Sequence, residues 1–347
     1  MTILRSAALC VGLVAVVAVP TQAQSVNRPR PSLVIGAGPA VTEAFGFIGD
    51  IAVTKHGEIL VLDRFATEIA WFASDGRFVR SIGRRGNGPG EFQQPYRMAI
   101  DARDRLHVYD SRRQHVIIYA LGPDGSADHV ADQRLDRAVS DICIIGGRRF
   151  VLNVDREPII AELDDDGRVI RAFGDAEKPS PDLARQAPES GYLLQVYHNR
   201  ALMACDATSE TIVLVHENIP VVRAVTLAGH TRWRTTLGDY VGRVLGVSRS
   251  GRGHSFRIDR EVGKAHSGSA VAIASNEYVV VTLWLGGARD MEGQLDARIL
   301  DLNTGAELYR RVPPARVTDF LNDRAYAFVQ QPVPGVRVYR TEQIFSR

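Results

Sequence analysis

Charged residues recur at one kind of position, immediately before or at the start of short apolar runs. They are Asp50, Arg97, Asp141 and Asp319. Carboxylates that converge on one point can bind a hard cation through their oxygens, so the three aspartates form a candidate site for Ca²⁺ or Zn²⁺. Arg97 interrupts the acidic series and can instead neutralise it. The sequence leaves open a metal site and a self-compensated ring of charges.

Arginines near the same positions are candidates for binding an anion. Arg64 and Arg112 follow apolar runs that end in aspartate, and Arg97 belongs to the charged series. Guanidinium groups pair well with carboxylates and phosphates. We therefore predict that a small anionic ligand, or a segment of a partner protein, binds among these residues. The predicted binding set is Arg64, Arg97, Arg112, Asp50, Asp141 and Asp319.

No arrangement typical of a catalytic centre is apparent. The chain lacks a nucleophile elbow, a Ser-His-Asp order, a phosphate-binding loop and a dinucleotide fingerprint. Its nine histidines show no spacing typical of zinc ligands. We predict a binding or scaffolding protein without catalytic residues and without a cofactor. The alternative is a metal-dependent lactonase or lyase centred on Asp50, Asp141 and Asp319.

An internal repeat determines which elements position these residues. Residues 35 to 72 and 82 to 119 carry one pattern at a constant offset of 47, so that Ile35-Gly36 corresponds to Ile82-Gly83 and Phe45 to Phe92. Each unit contains four short apolar runs separated by turn residues, and the pattern continues to the C-terminus. A repeat of this length buries its apolar faces only by stacking on its neighbours.

The repeat predicts an all-β fold, a six-bladed β-propeller. The sixth unit lacks a convincing fourth strand, while Ser32 to Gly36 aligns with the fourth strand of the first unit. We predict that this N-terminal strand completes the last blade and leaves no unpaired edge between first and last blades. The predicted propeller spans residues 30–347, with one insertion at about 230–266. The charged positions then face a common channel mouth.

The second unit resembles a known repeat. The stretch Gly83-x-x-Gly86-x-Gly88-Pro-Gly-Glu-Phe92-x-x-Pro95, followed by Leu106-x-Val108-x-Asp110, is similar to the NHL repeat. The resemblance is sharpest over residues 45 to 125. It implies a propeller of a class that includes scaffolding and recognition modules, extracellular sensors, RNA readers, and a few metal-dependent lyases and lactonases. Fold alone does not choose among them.

The N-terminal segment and the charge composition indicate where the protein is located and which partners are unsupported. Residues 1–23 contain Arg5, an apolar run and a small-residue stop, which predicts a cleaved signal peptide and a periplasmic or extracellular protein. No later stretch is long enough to span a membrane. Because 42 basic residues are balanced by 40 acidic ones, the composition gives no support to nucleic-acid binding.

Two further features carry predictions. The insertion is rich in arginine and aromatic residues, so Arg232, Trp233 and Arg234 form a possible partner surface. Cys143 and Cys205 remain after removal of the signal peptide. In an oxidising compartment they could form a disulfide. They fall in neighbouring repeats, however, where strand positions need not bring the two residues within bonding range, so we favour two buried thiols.

Overall fold

A computed structural model describes residues 29–36, 44–179, 181, 185, 191–242, 245–250, 253–258, 265–286 and 294–345, with the backbone alone for 245–250 and 253–258. The predicted signal peptide, residues 1–23, lies outside the described residues. In the described part of the chain, no helix is both long and apolar enough to cross a membrane.

The described strands form six four-stranded antiparallel sheets and one hairpin. Strand β1 is Leu33–Ile35, and blade one contains β2 Ile48–Val53, β3 Ile59–Asp63, β4 Glu68–Phe72 and β5 Phe78–Ile82. Blade two contains β6 Pro95–Ile100, β7 Arg105–Asp110, β8 His115–Leu121 and β9 Ala127–Arg134. Blade three contains β10 Val139–Ile145, β11 Arg148–Asn153, β12 Ile160–Leu163 and β13 Val169–Phe173.

The second half repeats the arrangement. Helix α1, Gly191–Asn199, precedes blade four, which contains β14 Ala201–Asp206, β15 Thr211–His216, β16 Val221–Thr226 and β17 Thr231–Thr236. A hairpin follows, with strands β18 Leu245–Ser250 and β19 Gly253–Ile258. Blade five contains β20 Ala265–Ala274, β21 Tyr278–Gly286, β22 Gln294–Asp301 and β23 Glu307–Arg311. Blade six contains β24 Arg316–Leu321, β25 Arg324–Val329 and β26 Gly335–Arg340, and helix α2, Thr341–Phe345, follows it.

The sixth blade is completed by the N-terminal strand, which confirms the predicted closure. Strand β1 pairs antiparallel with β26, with Leu33 opposite Val338 and Ile35 opposite Val336. The backbone N–H of Ser32 donates to the carbonyl of Val338 at 2.7 Å. Ile35 is 6% exposed and packs in the apolar cluster shared by blades six and one. The ring is therefore held shut by backbone pairing and by burial.

The hydrophobic core is divided among the six junctions between blades. Each of six apolar clusters joins residues of two neighbouring blades, from the cluster of blades one and two to that of blades six and one. Every residue of Ile59–Asp63 is buried, because blade one is covered on both faces. Continuous apolar strands in the sequence reflect this double burial rather than the alternation typical of a half-exposed sheet.

Asp63 and Asp110 fix equivalent turns of the first two blades. The Asp110 carboxylate accepts backbone N–H bonds from Gln93 at 2.6 Å and Gln94 at 3.0 Å, and from Arg112 and Arg113 across the following turn. Asp63 accepts the corresponding four bonds. In each of these two blades, one carboxylate thus connects the turn after the second strand to the segment that precedes the first strand.

The fourth blade differs from the prediction in two places. The apolar pattern of Leu194 to Val196 predicts the first strand of the fourth unit, but these residues lie in α1. The outermost strand of the blade is Thr231–Thr236, within the predicted insertion. This strand is mostly polar because it faces solvent, so the sequence pattern assigned it to the insertion. The insertion therefore begins after residue 236, and its described part contains the hairpin of β18 and β19.

The prediction of two thiols is wrong. Cys143 on β10 and Cys205 on β14 form a disulfide, with their Cα atoms 6.1 Å apart. That separation lies within the range that a disulfide requires. Both strands are the innermost of their blades, and innermost strands of neighbouring blades converge at the axis. This convergence is a property of the ring of blades and is not visible in the spacing of the two cysteines along the sequence.

Candidate ligand site at the channel mouth

The four charged residues predicted to meet at the axis do line one channel. Asp50, Arg97, Asp141 and Asp319 lie in the wall of a central cavity of about 260 Å³. Each follows a β-bulge near the start of its innermost strand. A bulge re-aims the side chain that follows it, which explains how residues of four different blades come to face the axis.

The three aspartates tie neighbouring blades together. The two carboxylate oxygens of Asp50 accept the backbone N–H groups of Ile51 at 3.0 Å and of Met98, in blade two, at 2.9 Å. Asp141 likewise accepts N–H bonds from its successor in sequence and, at 2.7 Å, from Met203 in blade four. Asp319 accepts from Phe320 and from the backbone of Val53 in blade one. Each carboxylate is thus a link between two blades.

The three aspartates do not form a group of metal ligands. Among the residues that the structure describes, no three side chains of histidine, cysteine, aspartate or glutamate lie close enough together to hold a metal ion. Asp50, Asp141 and Asp319 are all described, so they do not form the cluster required by the metal-dependent alternative. Arg97 pairs with Asp141, with Nε 3.6 Å from Oδ1, in keeping with the alternative interpretation of a charge-compensated ring.

Burial dominates the titration of this ring. Burial raises the pKa of Asp141 to about 7, although Arg97 opposes the shift and Asp50 adds to it. The pKa of Asp319 is also raised by burial to about 7, against the backbone bond from Phe320. Burial raises the pKa of Asp50 as well. For Arg97, burial acts to lower the pKa, but Asp141 and other neighbours outweigh it and the net shift is upward.

Replacing Asp319 by asparagine is expected to change how stability depends on pH. Between its ordinary pKa of 3.8 and its folded pKa of about 7, the folded protein binds the Asp319 proton more tightly than the unfolded chain does. The wild type therefore loses free energy of unfolding relative to Asp319→Asn as the pH rises from about 4 to 7. Urea unfolding of both proteins between pH 5 and pH 8 measures the difference, and a difference independent of pH contradicts the assignment.

A second cavity opens where the innermost strands begin. It has a volume of about 410 Å³, and its lining shares Gly49, Arg97, Leu202, Ser269 and Phe328 with the central channel. We call it the mouth cavity. Its remaining wall combines aromatic, arginine and uncharged polar groups with one carboxylate, that of Glu217, which pairs with Arg200. They include Phe47, Arg64, Tyr96, Glu217, Trp284, Arg316, Gln330 and Pro332.

Three guanidinium groups surround the Tyr96 ring. The guanidinium carbons of Arg97, Arg64 and Arg200 lie 4.5, 4.8 and 5.7 Å from its centroid. Arg200 also donates to the Tyr96 hydroxyl and pairs with Glu217 at 2.9 Å. Cations over an aromatic face are attracted by its quadrupole. Tyr96 therefore holds a concentration of positive charge at one side of the mouth cavity.

Two arginines of the mouth cavity have no carboxylate partner among the described residues. The Arg64 guanidinium lies over the Phe47 and Tyr96 rings, and burial, with Arg97 and Arg200 nearby, lowers its pKa. Arg316 donates from Nε to the Ser269 hydroxyl at 2.6 Å and lies over the Phe328 ring. Burial alone lowers the pKa of Arg316. By contrast, Arg97 and Arg200 each pair with an acidic side chain.

The other predicted site residues lie elsewhere. Arg112 is exposed and does not line the mouth cavity. Trp233 is buried, and its indole N–H donates to the carbonyl of Leu302 at 2.7 Å, so it is a packing residue of blades four and five. Arg234 pairs with Glu177, and Arg232 donates to the Thr211 hydroxyl. The predicted partner surface of Arg232, Trp233 and Arg234 thus lacks its aromatic anchor.

Arg200 and Arg316 are not among the site residues predicted from the sequence. Arg200 immediately precedes β14, and Arg316 is the first residue of β24. Both stand at the entry of an innermost strand, the criterion that selected Asp50 and Asp141. Applying that criterion to every repeat would have found them. Tyr96 and Trp284 carry no comparable signal, because aromatic residues are common in strands of any role.

Comparison with known proteins agrees with the fold. The family model DUF5128, described as a 6-bladed beta-propeller, matches residues 43–180. The chain has the six-bladed β-propeller fold. A member of the DUF4221 family from Bacteroides vulgatus superposes with a TM-score of 0.55 at 7% identity, over 88% of this chain and 97% of the other.

Two further solved structures share the architecture. A Bacteroides fragilis protein described as exported has a TM-score of 0.52 at 12% identity, covering 86% of this chain and 83% of its own. U3-55K has a TM-score of 0.54 at 14% identity, with coverage of 89% and 80%. At these identities the likeness concerns the fold alone. A search of curated proteins finds no match to this chain.

Proposed function

We propose that this propeller is an exported binding module whose mouth cavity takes up a small anionic ligand. The observation that carries the proposal is the pair of arginines, Arg64 and Arg316, that line the cavity without a carboxylate partner among the described residues. A partly buried charge without a counter-ion is costly. An anionic group on the ligand supplies the missing counter-charge and forms charge-assisted hydrogen bonds with the guanidinium.

The walls of the mouth cavity suit an organic anion. Phe47, Tyr96, Trp284 and Phe328 offer apolar and aromatic surface beside the two guanidinium groups. Ligand cavities of this size are usually lined by such surface with a few polar groups that fix orientation. A ligand with a carboxylate and an apolar group can pair with a guanidinium and also contact the aromatic side chains.

Export is supported by two features of the chain. The disulfide between Cys143 and Cys205 is typical of an oxidising compartment, and residues 1–23 have the pattern of a signal peptide. The resemblance of residues 45 to 125 to NHL repeats is compatible with a recognition role, because that class includes scaffolding and recognition modules. We therefore place the binding activity in the periplasm or outside the cell.

Tryptophan fluorescence offers a direct binding assay. Of the three tryptophans, Trp71 and Trp233 are buried in the core, whereas Trp284 lines the mouth cavity. Titration of the protein lacking residues 1–23 with small aromatic and aliphatic carboxylates is expected to give a saturable change. Arg316→Gln and Arg64→Gln are each expected to weaken binding by about 10-fold or more, since a lost charge-assisted bond is worth about 1.5–3 kcal/mol.

The chain provides a matched control. Arg112 follows the second strand of blade two, lies outside the mouth cavity and is exposed, so Arg112→Gln removes the same charge without touching the site. The Arg112→Gln variant should bind the carboxylates with the same affinity as the wild type. Trp284→Phe should lose the fluorescence signal while calorimetry still detects the ligand. Equal losses in Arg112→Gln and Arg316→Gln point to a general charge effect and contradict the proposal.

A further inference from the structure

The two guanidinium groups that lack a carboxylate partner among the described residues, those of Arg64 and Arg316, lie at different sides of the mouth cavity. Arg316 belongs to blade six, and its bond to the Ser269 hydroxyl draws its guanidinium toward blade five. Arg64 belongs to the turn after β3 of blade one and lies over the Tyr96 ring of blade two. Since blades six and one stand between these two junctions, the groups face the cavity from separate directions.

Each guanidinium is fixed in its place by the surrounding packing. Arg64 fits because residue 49 is glycine: a Cβ at that position would come within 2.4 Å of the Arg64 Cδ. Arg316 is held by the Ser269 hydroxyl and by the Phe328 ring, 5.7 Å from its guanidinium carbon. Two preorganised cationic groups recognise a ligand whose charges match their spacing.

The wall between them is largely uncharged. It is formed by blades one and six through Phe47, Phe328, Gln330 and Pro332. The Gln330 side chain is already engaged with the backbone of Ile48, to which it both donates and accepts. This part of the wall therefore offers mainly apolar surface to a ligand.

We propose that the ligand is a dianion with two separate acidic groups joined by an apolar middle, of the chemical class of the dicarboxylates. The inference rests on the proposed anion-binding function and refines it. One acidic group meets Arg316 beside the Ser269 hydroxyl, and the other meets Arg64 beside the Tyr96 ring. We expect a compact dianion such as phosphate to bind at one of the two guanidinium groups without bridging them, because Arg64 and Arg316 face the cavity from separate directions.

Calorimetry with matched probes tests this class. The probes are terephthalate, its monomethyl ester, adipate, monomethyl adipate and inorganic phosphate. At least one dicarboxylate is expected to bind about 10-fold or more tightly than its own monoester, since the ester leaves one guanidinium without a counter-charge. Arg64→Gln and Arg316→Gln should each lower the affinity for that dicarboxylate to about the affinity of the wild type for the monoester. Arg112→Gln should leave the affinity for the dicarboxylate unchanged.

The outcomes separate the two proposals. If monoesters bind as tightly as the dicarboxylates and Arg316→Gln still weakens them, the cavity binds anions but the inference of two acidic groups is overturned. The inference of two acidic groups is also overturned if phosphate binds more tightly than every dicarboxylate and Arg316→Gln leaves the affinity for phosphate unchanged. If no probe binds in a manner sensitive to either arginine, the inference and the proposed function fall together. Thermal melting of each variant verifies that it is folded.

Discussion

Ile35→Ala is expected to lower the free energy of unfolding by about 3 kcal/mol, within the range for removing a large aliphatic side chain from a core. Ile35 packs with Phe45, Phe72 and Val336 at the junction of blades six and one. Removing residues 29–36 altogether should have a larger effect, because β26 then presents an unpaired edge and the ring is no longer closed. Chemical denaturation measures both changes.

Val34 provides the control for this prediction. It lies in the same three-residue strand, opposite Arg337, but its side chain is 46% exposed. Val34→Ala is therefore expected to cost less than about 1 kcal/mol, as is usual for surface positions. Equal effects of Ile35→Ala and Val34→Ala, or an unchanged unfolding midpoint after removal of residues 29–36, would show that β1 does not close the propeller.

Loss of the disulfide is expected to have a comparable effect. Cys143 and Cys205 are separated by 62 residues in sequence, and the entropy of closing such a loop in the unfolded chain corresponds to about 4 kcal/mol. The double variant Cys143→Ser, Cys205→Ser should lose stability of that order. Because the bond joins the innermost strands of blades three and four, the loss should appear as a lower midpoint of a single unfolding transition.

Reduction gives an independent measurement of the same bond. A thiol reductant should lower the midpoint of the wild type and leave that of the double variant unchanged. The protein lacking residues 1–23 contains only these two cysteines, so unfolding without reductant should expose no free thiol. Two reactive thiols per chain would instead mean that the pair is not bonded and would restore the original prediction from the sequence.

Much of the fold follows from the sequence because the repeat is explicit where the blades are regular. The offset between the first two units and the early position of Ser32 to Gly36 were sufficient to predict six blades and their closure. Prediction failed where a blade departs from the pattern. Thr231–Thr236 is too polar to be recognised as a strand, and α1 carries an apolar stretch that imitates one.

The site was predictable only in part, for a geometric reason. The position of Asp50, Arg97, Asp141 and Asp319 follows from the repeat, although the bulge that turns them toward the axis does not. Arg64 and Arg112 appeared equivalent because both follow a strand ending in aspartate. In the repeat, however, Arg112 corresponds to Phe65, which is 79% exposed. Arg64 and Arg112 thus occupy turn positions that differ by one residue, and this difference places Arg64 in the cavity and Arg112 in solvent.

Anomalous diffraction from crystals soaked in bromide can show whether Arg64 and Arg316 form an anion site in the mouth cavity. Bromide is a monovalent anion that scatters strongly enough to be located without reference to any ligand. We predict bromide beside the Arg316 guanidinium and the Ser269 hydroxyl, and beside Arg64 at the Tyr96 ring. Crystals that hold bromide at other arginines and none in the mouth cavity would contradict the proposed anion site.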